Sequence, residues 1–243
     1  MYRLMGFFIR SGYGELRGPG VFGFLVARDR YIDEVLEAFL RENLRQLVIL
    51  GAGLDSRPYR FSVKHIPTFE VDHPATQAEK IRRVRRAVAP FPDHVRFVSV
   101  DFNRQNLADR LAAAGYDTGL KTLFVWQGVT MYLEPAAVLA TLDFIRAGSA
   151  PGSAVVFDYI FDSLLDGSRR QNEISSMRRY RFMTGEGLRF GIAEGQAEAF
   201  LQARGFRRAK NVLVRDLKQK YFHGQNAARP VADGYGIVTG WVG

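Results

Sequence analysis

The segment LGAGLDSRPYR, residues 50–60, directly follows QLVIL at 46–50, a short apolar run that reads as a buried strand. Gly51 and Gly53 let the chain turn tightly there and bring its backbone against a ligand with no Cβ between them. A second strand signal, FEVD at 69–72, ends on Asp72, placed to accept hydrogen bonds from ribose hydroxyls. A third, VRFVSVDF at 95–102, closes on Asp101 and Phe102, an acid that can accept from an adenine amino group and a ring that can pack on the base. Glycines after the first strand and an acid after the second are how a doubly wound sheet holds an adenosine.

Two classes of adenosine ligand use that geometry. A dinucleotide fingerprint needs a third glycine at the helix start to seat a pyrophosphate on open amides, whereas this chain has Ser56, then Arg57 and Pro58. Pyrophosphate binding is therefore disfavoured. An adenosine without phosphates, such as S-adenosylmethionine, needs only the two-glycine turn for its amino-acid end and an acid for its ribose. The bland alternative is that these are turn glycines and edge acids with no ligand.

These residues must be positioned by an alternating framework. Residues 31–43 have helical spacing of Ile32, Val35, Leu36 and Phe39, and further helices are expected at 75–88, near 105–114 and at 135–147. Strands are expected at 121–127 (KTLFVWQ) and 153–160 (SAVVFDYI), so four strand–helix–strand repeats predict an α/β, doubly wound, Rossmann-like parallel sheet. The rhythm breaks after 160: residues 162–192 are polar and aperiodic, 194–204 is again helical, and VLVRDL at 212–217 and GIVTGWV at 236–242 could pair as an antiparallel edge. We expect one domain over 1–243, with a core at about 28–160 and 194–243 and with 1–27 and 162–192 as lid or substrate elements.

Composition agrees with one core. The chain has 243 residues, 47% hydrophobic and 24% charged, which excludes a disordered main body, and a chain of this length hides roughly 70–75% of its unfolded surface. The absence of cysteine excludes disulfide scaffolds, thiolate zinc sites and cysteine nucleophiles. No apolar run nears the roughly 20 residues that span a bilayer, no secretory leader is recognised, and a cytoplasmic location is expected. The net charge of +9 allows an acidic partner or an arginine-rich solvated exterior.

GAGLDSRPYRF, FEVDHPATQAEK, VSVDF and FVWQGVTMYL, in this order and spacing, resemble the leucine carboxyl methyltransferase family, closest to its bacterial polyketide-associated O-methyltransferases, over about residues 27–160. The resemblance implies a class I methyltransferase fold, a seven-stranded sheet whose last strand is antiparallel, and S-adenosyl-L-methionine as methyl donor. It implies that Arg28, in ARDRYIDE, grips the donor's carboxylate, that Gly51 lies in the donor loop, that Asp72 holds the ribose, and that Asp101 and Phe102 flank the adenine. Gln127 departs from the pattern, where a glutamate normally helps hold the donor's amino-acid end. An amide keeps an acceptor oxygen but loses the charge, and a charge-assisted hydrogen bond is worth roughly 1.5–3 kcal/mol, so weaker donor binding is expected. The family's further N-terminal lysine has no counterpart in residues 1–27.

The expected activity is O-methylation of a small-molecule carboxylate or hydroxyl, with a polyketide-type metabolite as one candidate acceptor. A carboxylate is already ionised at neutral pH, whereas a hydroxyl would need a base, and no base constellation is evident. His73 and Tyr132 are pocket candidates; for His73 a hydrogen-bonded residue orienting the strand end is favoured over a catalytic role, and for Tyr132 core packing and pocket lining are weighed evenly. The remaining histidines, 65, 94 and 223, lack ligand spacing, so no metal is expected. KIRRVRR at 80–86 places Lys80, Arg82, Arg83, Arg85 and Arg86 around Ile81, Val84 and Val88, and RRYR at 178–181 adds charge. An RNA-directed enzyme would use such a surface, but WQGVTMYL lacks the Asp/Asn-Pro-Pro-aromatic turn of amino-group nucleobase methylases, and a solvated face is favoured. A protein that binds the donor without transferring methyl is the remaining alternative. Oligomeric state is not readable.

Overall fold

A computed structural model describes residues 20–102, 104–165 and 187–243. Seven strands form one sheet in the order β3-β2-β1-β4-β5-β7-β6: β1 (Gln46–Leu50), β2 (Thr68–Asp72), β3 (Val95–Ser99), β4 (Thr122–Trp126), β5 (Ala154–Ile160), β6 (Arg208–Leu213) and β7 (Tyr235–Trp241). β1 to β5 pair in parallel, and β7 runs antiparallel to both β5 and β6. The helices in chain order are α1 (Val21–Arg41), α2 (Arg57–Arg60), α3 (Pro74–Ala87), α4 (Leu107–Ala113), α5 (Pro135–Ala147), α6 (Ala197–Gln202) and α7 (Val214–Tyr221).

The central strands β1, β4 and β5 are buried along their whole length and mostly apolar because both faces of the sheet are covered. Successive side chains point to opposite faces. Val48 and Leu50 of β1, Phe124 and Trp126 of β4, and Val155 and Phe157 of β5 join one core cluster, with Leu142 and Ile145 of α5. Leu47 and Ile49, Leu123 and Val125, and Ala154 and Val156 join the other, under Phe24, Ile32, Leu36 and Phe39 of α1. That second cluster explains why α1 starts ten residues before the expected helix: Phe24 and Ala27 continue its buried stripe.

The carboxyl-terminal edge differs from expectation. VLVRDL is not one strand; β6 ends at Leu213, and α7 begins at Val214, where Val214 and Leu217 bury a helical stripe and the Leu213 amide donates to the Asp216 carboxylate at 2.9 Å. The expected strand over GIVTGWV is β7. Of the two expected additions, 1–19 and 166–186, including RRYR, lie outside the described residues, while Gly20 caps α1 and 21–27 belong to it. The far end of the second addition returns to the sheet: Ile192 bridges Phe161, and the Arg189 amide donates to the Met131 carbonyl at 2.8 Å. No helix among the described residues is long and apolar enough to cross a membrane.

Candidate donor site at the switch point of the sheet

β1 feeds leftward to β2 and β3, whereas β4 feeds rightward to β5, so the loops after β1 and β4 part at their carboxyl ends and leave a crevice. The loop after β1 is fastened from below. The Ala52 amide donates to the Val71 carbonyl at 3.0 Å, and the Gly53 amide donates to the Asp72 carboxylate at 2.5 Å. The other Asp72 oxygen accepts from the His73 amide at 2.7 Å. Each carboxylate oxygen retains a lone pair for a hydroxyl donor. Gly51 is obligatory: its φ is +66°, and a Cβ there would stand 2.3 Å from Cγ2 of Val129 in the loop after β4.

The serine-arginine-proline run that replaces the third glycine has its own task. Ser56 precedes α2, and Arg57 is buried, with Nε on Asp33 at 2.8 Å, Nη1 on Asp55 at 2.6 Å and Nη2 on the Asp29 carbonyl at 3.3 Å. One guanidinium thus staples the glycine loop to α1, and Arg60 adds a second contact to Asp33 at 2.7 Å.

Beneath the loop, Glu70 of β2 and Lys80 of α3 form a buried ion pair at 2.8 Å. Lys80 Nζ also donates to the Ala52 carbonyl at 3.3 Å and lies 5.8 Å from the Tyr59 ring centroid. Burial pushes the Glu70 carboxyl up to about 7, with Lys80 acting against the rise. Burial and the neighbouring Glu70 also raise the Tyr59 hydroxyl. The expectation that Lys80 belongs to a basic solvent face is overturned, because α3 turns it inward onto Glu70 of β2. Arg82 and Arg83 stay on the outer side and pair with Glu79.

Two adjacent residues of α1 are tied to the loop after β4, Arg28 through Asp158 of β5 and Asp29 directly. Arg28 Nη1 donates to Asp158 Oδ2 at 2.6 Å, and Asp158 Oδ1 accepts from the Gly128 amide at 2.6 Å. Burial works against the Arg28 charge, but Asp158 and Asp29 more than offset it and hold the guanidinium above its ordinary value. Asp29 accepts from Gln127 Nε2. Thr130 completes the fastening by donating to the Asp158 carbonyl at 2.7 Å.

The sequence-selected residues therefore converge in part. Gly51, Gly53, Asp72 and Gln127 stand at the carboxyl ends of β1, β2 and β4, and Arg28 joins them from α1 through Asp158, which also holds the Gly128 amide. Asp101 and Phe102 stand past the end of β3, which stops at Ser99 rather than at 102: the Asp101 amide donates to Gln105 at 3.0 Å, its carboxylate lies 3.7 Å from Arg104, and Phe102 packs half-buried on the core. His73 is exposed and caps α3, with Nδ1 accepting from the Ala75 amide at 3.3 Å. Tyr132 ends a 3-10 turn, Thr130–Tyr132, and packs beside Met131, Ile160 and Leu164. Sequence reading missed Asp158, Asp29, Arg57, Glu70 and Lys80. For Asp158 and Glu70 a signal was available, an acid inside an otherwise apolar strand.

The strand order with one antiparallel strand, a glycine loop on the first crossover and an acid after the second strand define the class I methyltransferase fold. Residues 10–146 match the sequence model of the leucine carboxyl methyltransferase family, and the chain belongs to that family. It is 30% identical to YktD of Bacillus subtilis (strain 168) over 199 residues, which are 81% of this chain and 65% of that protein. A relative from Streptomyces coelicolor is 37% identical over 133 residues, 53% of this chain and 46% of its own. The chain thus spans less than two thirds of the length of these curated relatives. Among solved structures, it is similar to a magnesium protoporphyrin IX methyltransferase from Synechocystis PCC 6803 with bound SAH, at TM-score 0.56 and 11% identity over 100% of this chain and 99% of that one. An O-methyltransferase family protein from Burkholderia thailandensis superposes with TM-score 0.57 at 11% identity, over 88% and 55% of the two chains.

Proposed function

We propose that this chain binds S-adenosyl-L-methionine in the switch-point crevice and transfers its methyl group to an oxygen of a small-molecule acceptor. The observation that carries the reading is the Gly53–Asp72 bond, which sets a glycine loop and a ribose-type acid as one rigid unit beside the β4 loop. Two buried polar atoms without hydrogen-bond partners, Arg28 Nε and Gln127 Oε1, fit the carboxylate and ammonium of an amino acid. When bound, the donor supplies a sulfonium-activated methyl group. The protein supplies alignment: Asp72 accepts from the ribose, Phe102 and Asp101 border the base, and Arg28 receives the carboxylate. Such positioning can be worth on the order of 7–11 kcal/mol.

The names of the relatives support donor and reaction class: YktD is named for S-adenosyl-L-methionine-dependent methyl transfer, and the family for carboxyl methylation. An O-methyltransferase among the similar folds favours a small organic acceptor. An RNA acceptor is disfavoured because Lys80 is buried and Arg82 and Arg83 are engaged by Glu79.

Titration calorimetry with S-adenosyl-L-methionine tests the reading. We expect saturable binding, weakened in Asp72→Ala by about 1.5–3 kcal/mol, and labelled-methyl transfer onto members of a carboxylate and phenol panel. Absence of donor binding at hundreds of micromolar would sink it; binding without transfer to any acceptor would leave a donor-binding protein.

A further inference from the structure

The groups that bridge α1 to the loops after β1 and β4 do not balance in charge. Arg28, Arg57 and Arg60 face Asp29, Asp33, Asp55 and Asp158. Arg28 is bonded to Asp158, Arg57 to Asp33 and Asp55, and Arg60 to Asp33. Asp29 is the acid of this group without a salt bridge: it is exposed, acts on Arg28 and Arg60 only at longer range, and its carboxylate accepts the neutral amide of Gln127 among the bonds described. That bond also sets the Gln127 amide: Nε2 must face the carboxylate, so Oε1 is turned away from it and is left buried without a donor.

The exposed Asp29 carboxylate and the unpartnered Gln127 oxygen belong to two residues bonded to each other, and each can accept from a cationic N–H group. Arg28 Nε, on the residue next to Asp29, is the matching donor for an anion. An α-amino acid carries one group of each kind. Resting on the donor-site reading above, we propose that Asp29 is the residue that supplies the charge for the donor's ammonium group, with Gln127 as its neutral co-acceptor held in place by Asp29. The loss of charge expected at position 127 is thereby made good from α1. It also explains the amide: a carboxylate at 127 would stand in hydrogen-bond reach of the Asp29 carboxylate, and two like charges at that distance repel.

Two probes separate this role from a structural one. S-adenosylhomocysteine carries the amino-acid end; methylthioadenosine carries the adenosine and thioether without it. Calorimetry on Asp29→Asn is expected to show S-adenosylhomocysteine binding weakened by about 10- to 100-fold, as for loss of one charge-assisted bond, with methylthioadenosine binding unchanged. The exchange variant Asp29→Asn/Gln127→Glu, which returns one carboxylate to the pair, is expected to recover most of that loss. Equal weakening of both probes in Asp29→Asn, or no weakening of either, overturns the proposal. If the unaltered protein binds neither probe, the donor-site reading itself falls, and this inference with it.

Discussion

Lys80 Nζ stands 2.8 Å from Glu70 Oε1 and 3.3 Å from the Ala52 carbonyl, so one buried ammonium joins α3, β2 and the underside of the glycine loop. Gly53, the next residue, is held from the other side by Asp72. Replacing Lys80 by methionine keeps the volume and removes the charge. Removing one member of a buried pair costs about 3–5 kcal/mol, and here the cost falls at the low end because Glu70 can take up a proton. Urea unfolding should report that loss, and calorimetry should report weaker donor binding as Ala52 is released. An unchanged unfolding midpoint would mean that the pair carries no net stability.

Glu70 also sets a pH dependence whose sign is the reverse of an ordinary ion-paired acid. Its carboxyl is pushed from 4.5 to about 7 by burial, against the pull of Lys80; Tyr59 and Asp55 are the other ionisable groups that act on it. In the window between those values the folded chain retains a proton that the unfolded chain has released. Raising the pH therefore favours unfolding: the contribution is full below about 4.5 and is lost as pH rises through about 7. The slope is roughly 1.4 kcal/mol per pH unit at most. Unfolding free energies measured from mildly acidic to mildly alkaline buffer should fall with pH in the unaltered protein and fall less in Glu70→Gln. Equal slopes in the two would refute the assignment.

The pattern of success in reading the sequence follows from the range of each interaction. β1 at Gln46–Leu50 and α5 at Pro135–Ala147 have the expected bounds, because strand composition, a proline in the first helical turn and a following glycine are local signals. The glycine loop and Asp72 were legible for the same reason, as both lie within one crossover. The partners of Arg28 and Gln127 were not: they are 130 and 98 residues away along the chain, and only the completed sheet brings them together. Lys80 was misassigned because a run of basic residues reveals its charge but not which member faces inward. That choice was made by Glu70, itself inside an apolar strand.

Gly51 tests whether the two loops of the crevice are packed against each other. An alanine there would combine a positive φ, costing about 1–2 kcal/mol, with a Cβ driven into Val129. Valine is stiff at χ1 and cannot swing aside cheaply, so overpacking adds about 1–3 kcal/mol. Gly51→Ala should therefore lower the unfolding free energy by roughly 2–5 kcal/mol, the sum of those two costs. Adding Val129→Ala should return the overpacking part and leave the backbone part. If the second substitution recovers nothing, the loops do not meet as described.

Asp158 offers the sharpest coupling. Its two oxygens are each committed at 2.6 Å, one to the Arg28 guanidinium and one to the Gly128 amide, and it is fully buried in β5. In Asp158→Asn only one oxygen remains. Whichever donor faces the new amide nitrogen is orphaned, and Arg28 stays charged without its counter-ion, a loss of about 3–5 kcal/mol. Arg28→Met alone leaves the opposite charge stranded and should cost a similar amount. The double variant strands neither: the asparagine oxygen can turn to Gly128, and methionine fills the space of the guanidinium stem. It should be more stable than Asp158→Asn, so the two substitutions are strongly non-additive in a double-mutant cycle. Donor binding should not follow stability, because the double variant has lost the arginine proposed to receive the donor's carboxylate. A double variant that unfolds at the sum of the two single losses would show that Arg28 and Asp158 are held by their surroundings rather than by each other.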